Sequence, residues 1–199
     1  MRTPYLTDVA NLMHEVVRRT VTFSGDAMPV PIEAWVRQSG WTIVALPVNG
    51  RLEGATLFAE HVIVVNQRLS YSAQRFAMAH EWIHARYHTH HATSGGWPRH
   101  DQYTNELEVE ANAGAAELLL PYAWFMETAA QILIHPLRSW TALDTFMRSM
   151  EARQWADYAQ VTLSVLRYHL IDLGWVQTGA ITDPRYDVAC FPDIRGFLV

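Results

Sequence analysis

The clearest chemical signal in the chain is His80-Glu81-Trp82-Ile83-His84. In a helix, residues four apart stand one turn above each other, so both imidazoles can grip one zinc ion with Glu81 beside them. This H-E-x-x-H pattern suits metal-assisted hydrolysis. The metal acidifies a water, and the glutamate takes its proton and later delivers it to the leaving amine. The chemistry needs a third protein ligand and one coordination position left open. Glu106, Glu108 and Glu110 lie on the next predicted helix, and Glu108 shares a face with Ala111, Asn112, Ala115, Ala116 and Leu119. That stripe of mostly small residues would let another helix approach closely, so Glu108 is expected to point inward as the third ligand. Glu110 falls with Glu106, Gly114 and Glu117 on what reads as a solvated acidic side. A further alternative is His90, because His80 to His90 has the spacing of three-histidine zinc proteases, although Tyr87 stands where that pattern needs a glycine. His88, His91 and His100 read as loop or solvent-facing residues. One of His88, His90, His91 and His100 could stabilise an oxyanion, and Tyr71, Tyr87 and Tyr103 are equal candidates for that role.

These side chains need a scaffold, and hydrophobic periodicity predicts one. Residues 8–20 form an amphipathic helix with Thr7 as N-cap, and a shorter helix lies between Pro31 and Gly40. Strand-forming runs follow at 41–48, 51–58 and 61–66, the first two flanking Asn49-Gly50, a dipeptide suited to a hairpin turn. A small, mostly antiparallel sheet is expected. The motif helix spans about 72–88, a Gly-rich loop occupies 92–104, and helices at about 105–120 and 122–134 end before prolines. Two or three short helices lead to Trp175, then an irregular tail.

Composition bounds the rest. The 199 residues are half hydrophobic and 18% charged, enough to bury a core. A lone cysteine, Cys190, excludes an internal disulfide framework, no apolar run is long enough to cross a membrane, and the opening residues carry no secretory pattern. The chain therefore reads as cytoplasmic. Its formal charge of −5 gives it no overall basic footprint for nucleic acid. All 15 basic residues are arginine, from which nothing mechanistic follows.

Four segments carry a family resemblance: Val62 to Asn66, Arg75 to His84, Glu108-Val109-Glu110-Ala111-Asn112, and Ala115 to Pro121. In order and spacing they resemble the ImmA/IrrE family of zinc metallopeptidases, well over residues 5–135 and more weakly to Trp175. The resemblance implies a zincin-like α+β fold, with zinc (manganese as the alternative ion) held by His80, His84 and Glu108 and with Glu81 as catalyst. It also implies that Asn112 orients a ligand histidine, since ligating imidazoles usually donate their second N–H. Two positions depart from the family, which often has a small residue at Ile83 and an aromatic one at Gly114. The family's activity, cleavage of a helix-turn-helix transcriptional repressor, makes such a protein the implied substrate.

Three regions are expected: a metallopeptidase domain at 1–135, a helical subdomain at 136–176 and a tail at 177–199. Residues 151–175 have the pattern of a helix-turn-helix, with Thr162 or Ser164 capping the second helix. From Pro136 to Val176, however, four arginines face four acids, which argues against a phosphate-gripping surface. The reading is an endopeptidase acting on a regulatory protein, without DNA or membrane contact and with the oligomeric state open. The alternative is a non-catalytic zinc-fold module that sequesters a partner or contacts DNA through its C-terminal helices.

Overall fold

The computed structural model describes residues 4–22, 28–50, 52–89, 105–133 and 136–176. Its elements are α1 (Pro4–Thr20), α2 (Ile32–Gln38), β1 (Thr42–Leu46), β2 (Gly54–Leu57), β3 (Val62–Asn66), α3 (Tyr71–Tyr87), α4 (Asn105–Leu119), α5 (Tyr122–Ile132), α6 (Trp140–Met147), α7 (Met150–Ala159) and α8 (Leu163–Asp172). The class is α+β, as expected. Helix α1 begins at Pro4 rather than after Thr7, because a proline's fixed φ and missing N–H suit a first helical turn. Gly40, at φ +88°, turns the chain out of α2. Ser70, Ser139, Ser149 and Thr162 cap α3, α6, α7 and α8 through their hydroxyl oxygens. Among the described residues no helix is long and apolar enough to cross a membrane.

The sheet corrects one expectation. Its order is β1-β3-β2, with β3 parallel to β1 and antiparallel to β2, so Val64 lies between Val44 and Ala55. The hairpin expected across Asn49-Gly50 does not form, and the sheet is mixed. The reason is burial: Ile63, Val64 and Val65 are all buried, and a strand apolar on both faces belongs in the centre of a sheet. Gly50 still takes a positive φ of +92°, but within a wider loop that the Asn66 side chain holds. Its Oδ1 accepts from the N–H groups of Val48 and Arg68, and its Nδ2 donates to the carbonyls of Val48 and Leu52. A buried amide thus has all its bonding capacity met, which is what its burial requires.

Among the described residues an apolar core runs from Ala10 in α1 to Val176 and includes Ile83, Leu118, Trp155 and Leu166. The pair α7–α8 turns at Gln160, in the left-handed conformation, and buries Trp155, Ala156, Val165 and Leu170 in that core. Arg75 of α3, itself buried, donates to the carbonyls of Val30 and Gln160 and so pins the helix to two distant segments.

Helix α4 packs against both α1 and α3. Its Glu117 is completely buried, in contradiction to the solvated side on which the sequence pattern put it. Partners explain the burial. Glu117 accepts from His14 Nδ1 at 2.9 Å, from Arg18 Nε and an Arg18 terminal nitrogen at 3.0 Å each, and from the Tyr122 backbone N–H at 2.9 Å. The last bond satisfies a free donor at the start of α5, where a negative charge also suits the helix dipole. Burial alone would raise the Glu117 pKa, but the bonds from His14 and Arg18 prevail and hold it at about 2.

A carboxyl whose folded pKa lies below its unfolded value stabilises the fold above the unfolded value and loses that contribution as pH falls toward the folded one. For Glu117 that window runs from about 4.5 down to about 2. Glu117→Gln, which strips the Arg18 guanidinium and the buried His14 of their shared carboxylate, is expected to cost about 3–5 kcal/mol at pH 7. The cost should be roughly 1 kcal/mol smaller at pH 4. Urea denaturation of both proteins at the two pH values measures this, and an equal cost at both would refute the assignment.

Candidate metal centre

Helix α3 presents His80 and His84 to α4, and both are buried. Their Nε2 atoms lie 3.1 Å apart. Glu108, in the first turn of α4, reaches between them: its Oε2 is 3.3 Å from His80 Nε2 and its Oε1 is 3.5 Å from His84 Nε2. Two ligands of one tetrahedral zinc, each about 2.0–2.2 Å from it, stand about 3.3–3.6 Å apart. Glu108 Oε2 is buried and makes no hydrogen bond, the condition of an acceptor that a cation would satisfy. The three residues therefore fit a metal ion by spacing, donor type and unmet bonding capacity.

The outer nitrogens of both histidines are engaged. His80 Nδ1 lies 3.1 Å from Asn112 Oδ1, an oxygen that can only accept, so the N–H is on Nδ1 and the Nε2 lone pair faces Glu108 and His84. His84 Nδ1 meets His88 Nδ1 at 2.8 Å, and His88 Nε2 meets Glu110 Oε2 at 2.8 Å. One tautomer set satisfies this chain: His88 donates from Nε2 to Glu110 and accepts at Nδ1 from His84, which leaves the His84 Nε2 lone pair free. His88 is 3% exposed, not solvent-facing, and Glu110 is drawn off the expected solvated side to meet it. Glu110 is thus a partner's partner rather than a rival for the metal position. His90, Tyr103, the loop at 92–104 and Cys190 lie outside the described residues. Tyr87 commits its hydroxyl to Thr20 and Arg86, and Tyr71 stands nine residues before His80, about 13 Å along the helix.

Glu81 is buried against β2. Thr56 Oγ1 donates to Glu81 Oε2 at 2.7 Å and lies 2.9 Å from the Glu81 backbone oxygen. Gly54 makes room, since a Cβ there would come within 2.9 Å of Glu81 Cγ and 3.2 Å of its Oε1. Sequence reading missed both residues. Both lie on β2, at least 25 positions before Glu81, and only the bare Gly-x-Thr alternation of an ordinary strand marked them.

Charge separates the two acids of the site. Burial pushes Glu81 up to about 7, against the opposing pull of His80 and the Thr56 hydrogen bond. Burial also pushes Glu108 up, but the proximity of the His80 and His84 rings outweighs it and leaves its carboxyl well below the usual range. His80 shows the mirror effect, with burial lowering its pKa and Glu108 more than restoring it. For His84 burial prevails, aided by the neighbouring His80, and the pKa falls to about 4. A histidine kept neutral is in the state that ligates metal.

The close approach of α3 and α4 rests on an exchange of bulk. A Cβ on Gly114 would lie 2.7 Å from Ile83 Cδ1 and 2.9 Å from its Cγ1. The two departures noted in the sequence are thus one feature, a large residue on α3 seated where α4 has no side chain.

An α+β fold that sets two histidines and a glutamate at ligand spacing, with a buried glutamate beside them, defines a metallopeptidase-like protein. The family model of peptidase M78, described as the IrrE N-terminal-like domain, matches residues 37–170, and the chain belongs to this family. The match covers both helices of the site and extends through most of α8. No curated protein matches the chain.

Gly114→Ala is expected to cost about 1–3 kcal/mol by overpacking. In an Ile83→Ala background the same change should cost less, and equal costs in a double-mutant cycle of urea melts would rule out the contact. His88→Phe is expected to weaken divalent-metal binding about 10–100-fold, as loss of a ligand's hydrogen-bond partner does. Chelator competition tests it. Unchanged affinity would mean that the chain ending at Glu110 does not orient His84.

Proposed function

We propose that this protein is a zinc-dependent endopeptidase acting inside the cell, with His80, His84 and Glu108 as ligands and Glu81 as the general base. The observation that carries the reading is Glu81, buried beside three residues at ligand spacing and held near neutral pKa. A bound zinc ion would act there as a Lewis acid, acidifying water and polarising the scissile carbonyl. The chain's own residues supply the proton traffic. With Oε2 held by Thr56, Glu81 keeps Oε1 on the cramped side opened by Gly54, and a carboxyl that titrates near 7 can take a proton and return it to the leaving amine at similar cost. Asn112 and the pair His88–Glu110 are positioning residues, acting through His80 and His84.

The proposed substrate is a transcriptional repressor of the helix-turn-helix class, on the strength of the family resemblance set out above. Helices α7 and α8 serve packing or substrate docking rather than DNA. Arg167 is paired with Asp144 at 2.7 Å, and the inner faces of both helices are spent on the core. The lone cysteine agrees with a reducing compartment.

Glu81→Gln is expected to bind zinc as tightly as the wild type and to lose cleavage by about 100-fold or more. Glu108→Ala should lose both most of the zinc and the activity. Metal analysis alongside a cleavage assay on a purified repressor reads out both. Full activity of Glu81→Gln would overturn the mechanism. Full zinc in Glu108→Ala would move the third ligand elsewhere, and zinc binding without cleavage of any protein would leave a binding module in place of the enzyme.

A further inference from the structure

A second cluster of metal-ligating groups lies at the junction of α1, α4 and α8, apart from the centre just described. His14 of α1, Glu117 of α4 and His169 of α8 are all at most 1% exposed, and each offers an atom within 4.8 Å of the others. Asp172, one turn beyond His169 on α8, places its Oδ2 3.6 Å from His14 Nε2. The cluster holds an anomaly: His14 Nε2 and both ring nitrogens of His169 are buried without a hydrogen-bond partner. An imidazole must carry at least one N–H and leaves at most one lone pair, so a wholly unpartnered buried ring is costly on two counts. Burial depresses the His169 pKa to about 3, with His14 adding to it, so no proton relieves the ring. The Leu120 backbone oxygen is the smallest influence opposing that shift and lies outside hydrogen-bonding geometry.

Four bonds saturate Glu117 and exclude it as a ligand: two from Arg18, one from His14 and one from the Tyr122 N–H. Its place is behind His14. By accepting from Nδ1 it fixes the ring and turns Nε2 toward Asp172. A carboxylate behind a histidine is the usual support of a histidine that ligates zinc. Arg18 neutralises Glu117, and Asp172 faces the other ring nitrogen of His14. The 3.6 Å gap between His14 Nε2 and Asp172 Oδ2 exceeds a hydrogen bond and is close to the 3.3–3.5 Å separations of the first cluster.

We propose that His14 Nε2, a ring nitrogen of His169 and Asp172 form a second, structural site for a zinc-type divalent cation, with Glu117 and Arg18 orienting His14. The ion would join α1 and α8 across α4, on the side of α4 away from Glu108. The inference is independent of the peptidase reading, since none of these residues belongs to the first centre.

Zinc titration of the full chain, stripped of metal and monitored against a chromophoric chelator, tests it. The wild type should take up two equivalents and His169→Phe one, while His80→Ala/Glu108→Ala should keep the equivalent that His169→Phe loses. An unchanged count in His169→Phe would overturn the second site and leave a proton shared by His14 between two carboxylates as the occupant. Should His169→Phe fail to fold, the melting temperature of His80→Ala/Glu108→Ala decides. Zinc should raise it if the second site binds, and no rise in saturating zinc overturns the proposal. If His80→Ala/Glu108→Ala keeps the full wild-type count, the first centre is misassigned whatever the second does.

Discussion

The candidate centre depends on how closely α3 and α4 approach. Glu108 is short, and it meets His80 and His84 only because α4 lies against α3 along a run of alanines and one glycine. Gly114 receives Ile83, and a Cβ in that space would already be in collision. The contact lies one and a half turns beyond Glu108, so any separation of the helices there would be carried toward the histidines. Interiors packed like crystals transmit such shifts rather than absorbing them.

Helix α4 has to satisfy two neighbours at once, and its residues divide accordingly. Glu108 and Asn112 are four apart and serve α3, whereas Glu117, nine residues after Glu108 and half a turn out of phase, serves α1. A helix buried on both sides cannot keep an exposed acidic stripe, and three of its four acids have specific partners: Glu108 the two histidines, Glu110 His88, and Glu117 His14 and Arg18. These pairs fix rotation about the helix axis, which alanine packing alone would leave loosely set. Arg75 does similar work for α3 by bonding two carbonyls from segments far apart in the chain.

What the sequence revealed followed this division. Relations within one helix were legible: the four-residue spacing of His80 and His84, and the small-residue face that singles out Glu108, are properties of a single periodicity. Relations between elements were not. Glu110 and Glu117 read as solvated because no local pattern announces that a carboxylate will be covered by a histidine 22 or 103 positions away. The sheet order failed for a related reason. Asn49-Gly50 signalled a turn correctly at Gly50, but the partner of each strand was decided by burial, and the doubly apolar β3 took the middle. Thr56 and Gly54 became visible only once β2 was laid against Glu81.

Three glutamates, Glu81 and Glu117 buried and Glu108 partly so, show how environment assigns roles to one side chain. Glu117 faces a guanidinium and an imidazole and stays ionised to about pH 2, so it is a fixed charge that organises helices. Glu108 faces two imidazole nitrogens and is likewise held ionised, with an oxygen left unbonded, the property of a ligand rather than of a proton carrier. Glu81 has only a threonine hydroxyl and the neighbouring His80 to set against burial, and its pKa is pushed up to about 7. A carboxylate paired as tightly as Glu117 would hold no proton at neutral pH, and one buried with no partner would not release it. The weak support given to Glu81 lies between these limits, and it is the condition under which one residue can both take up a proton and give it back.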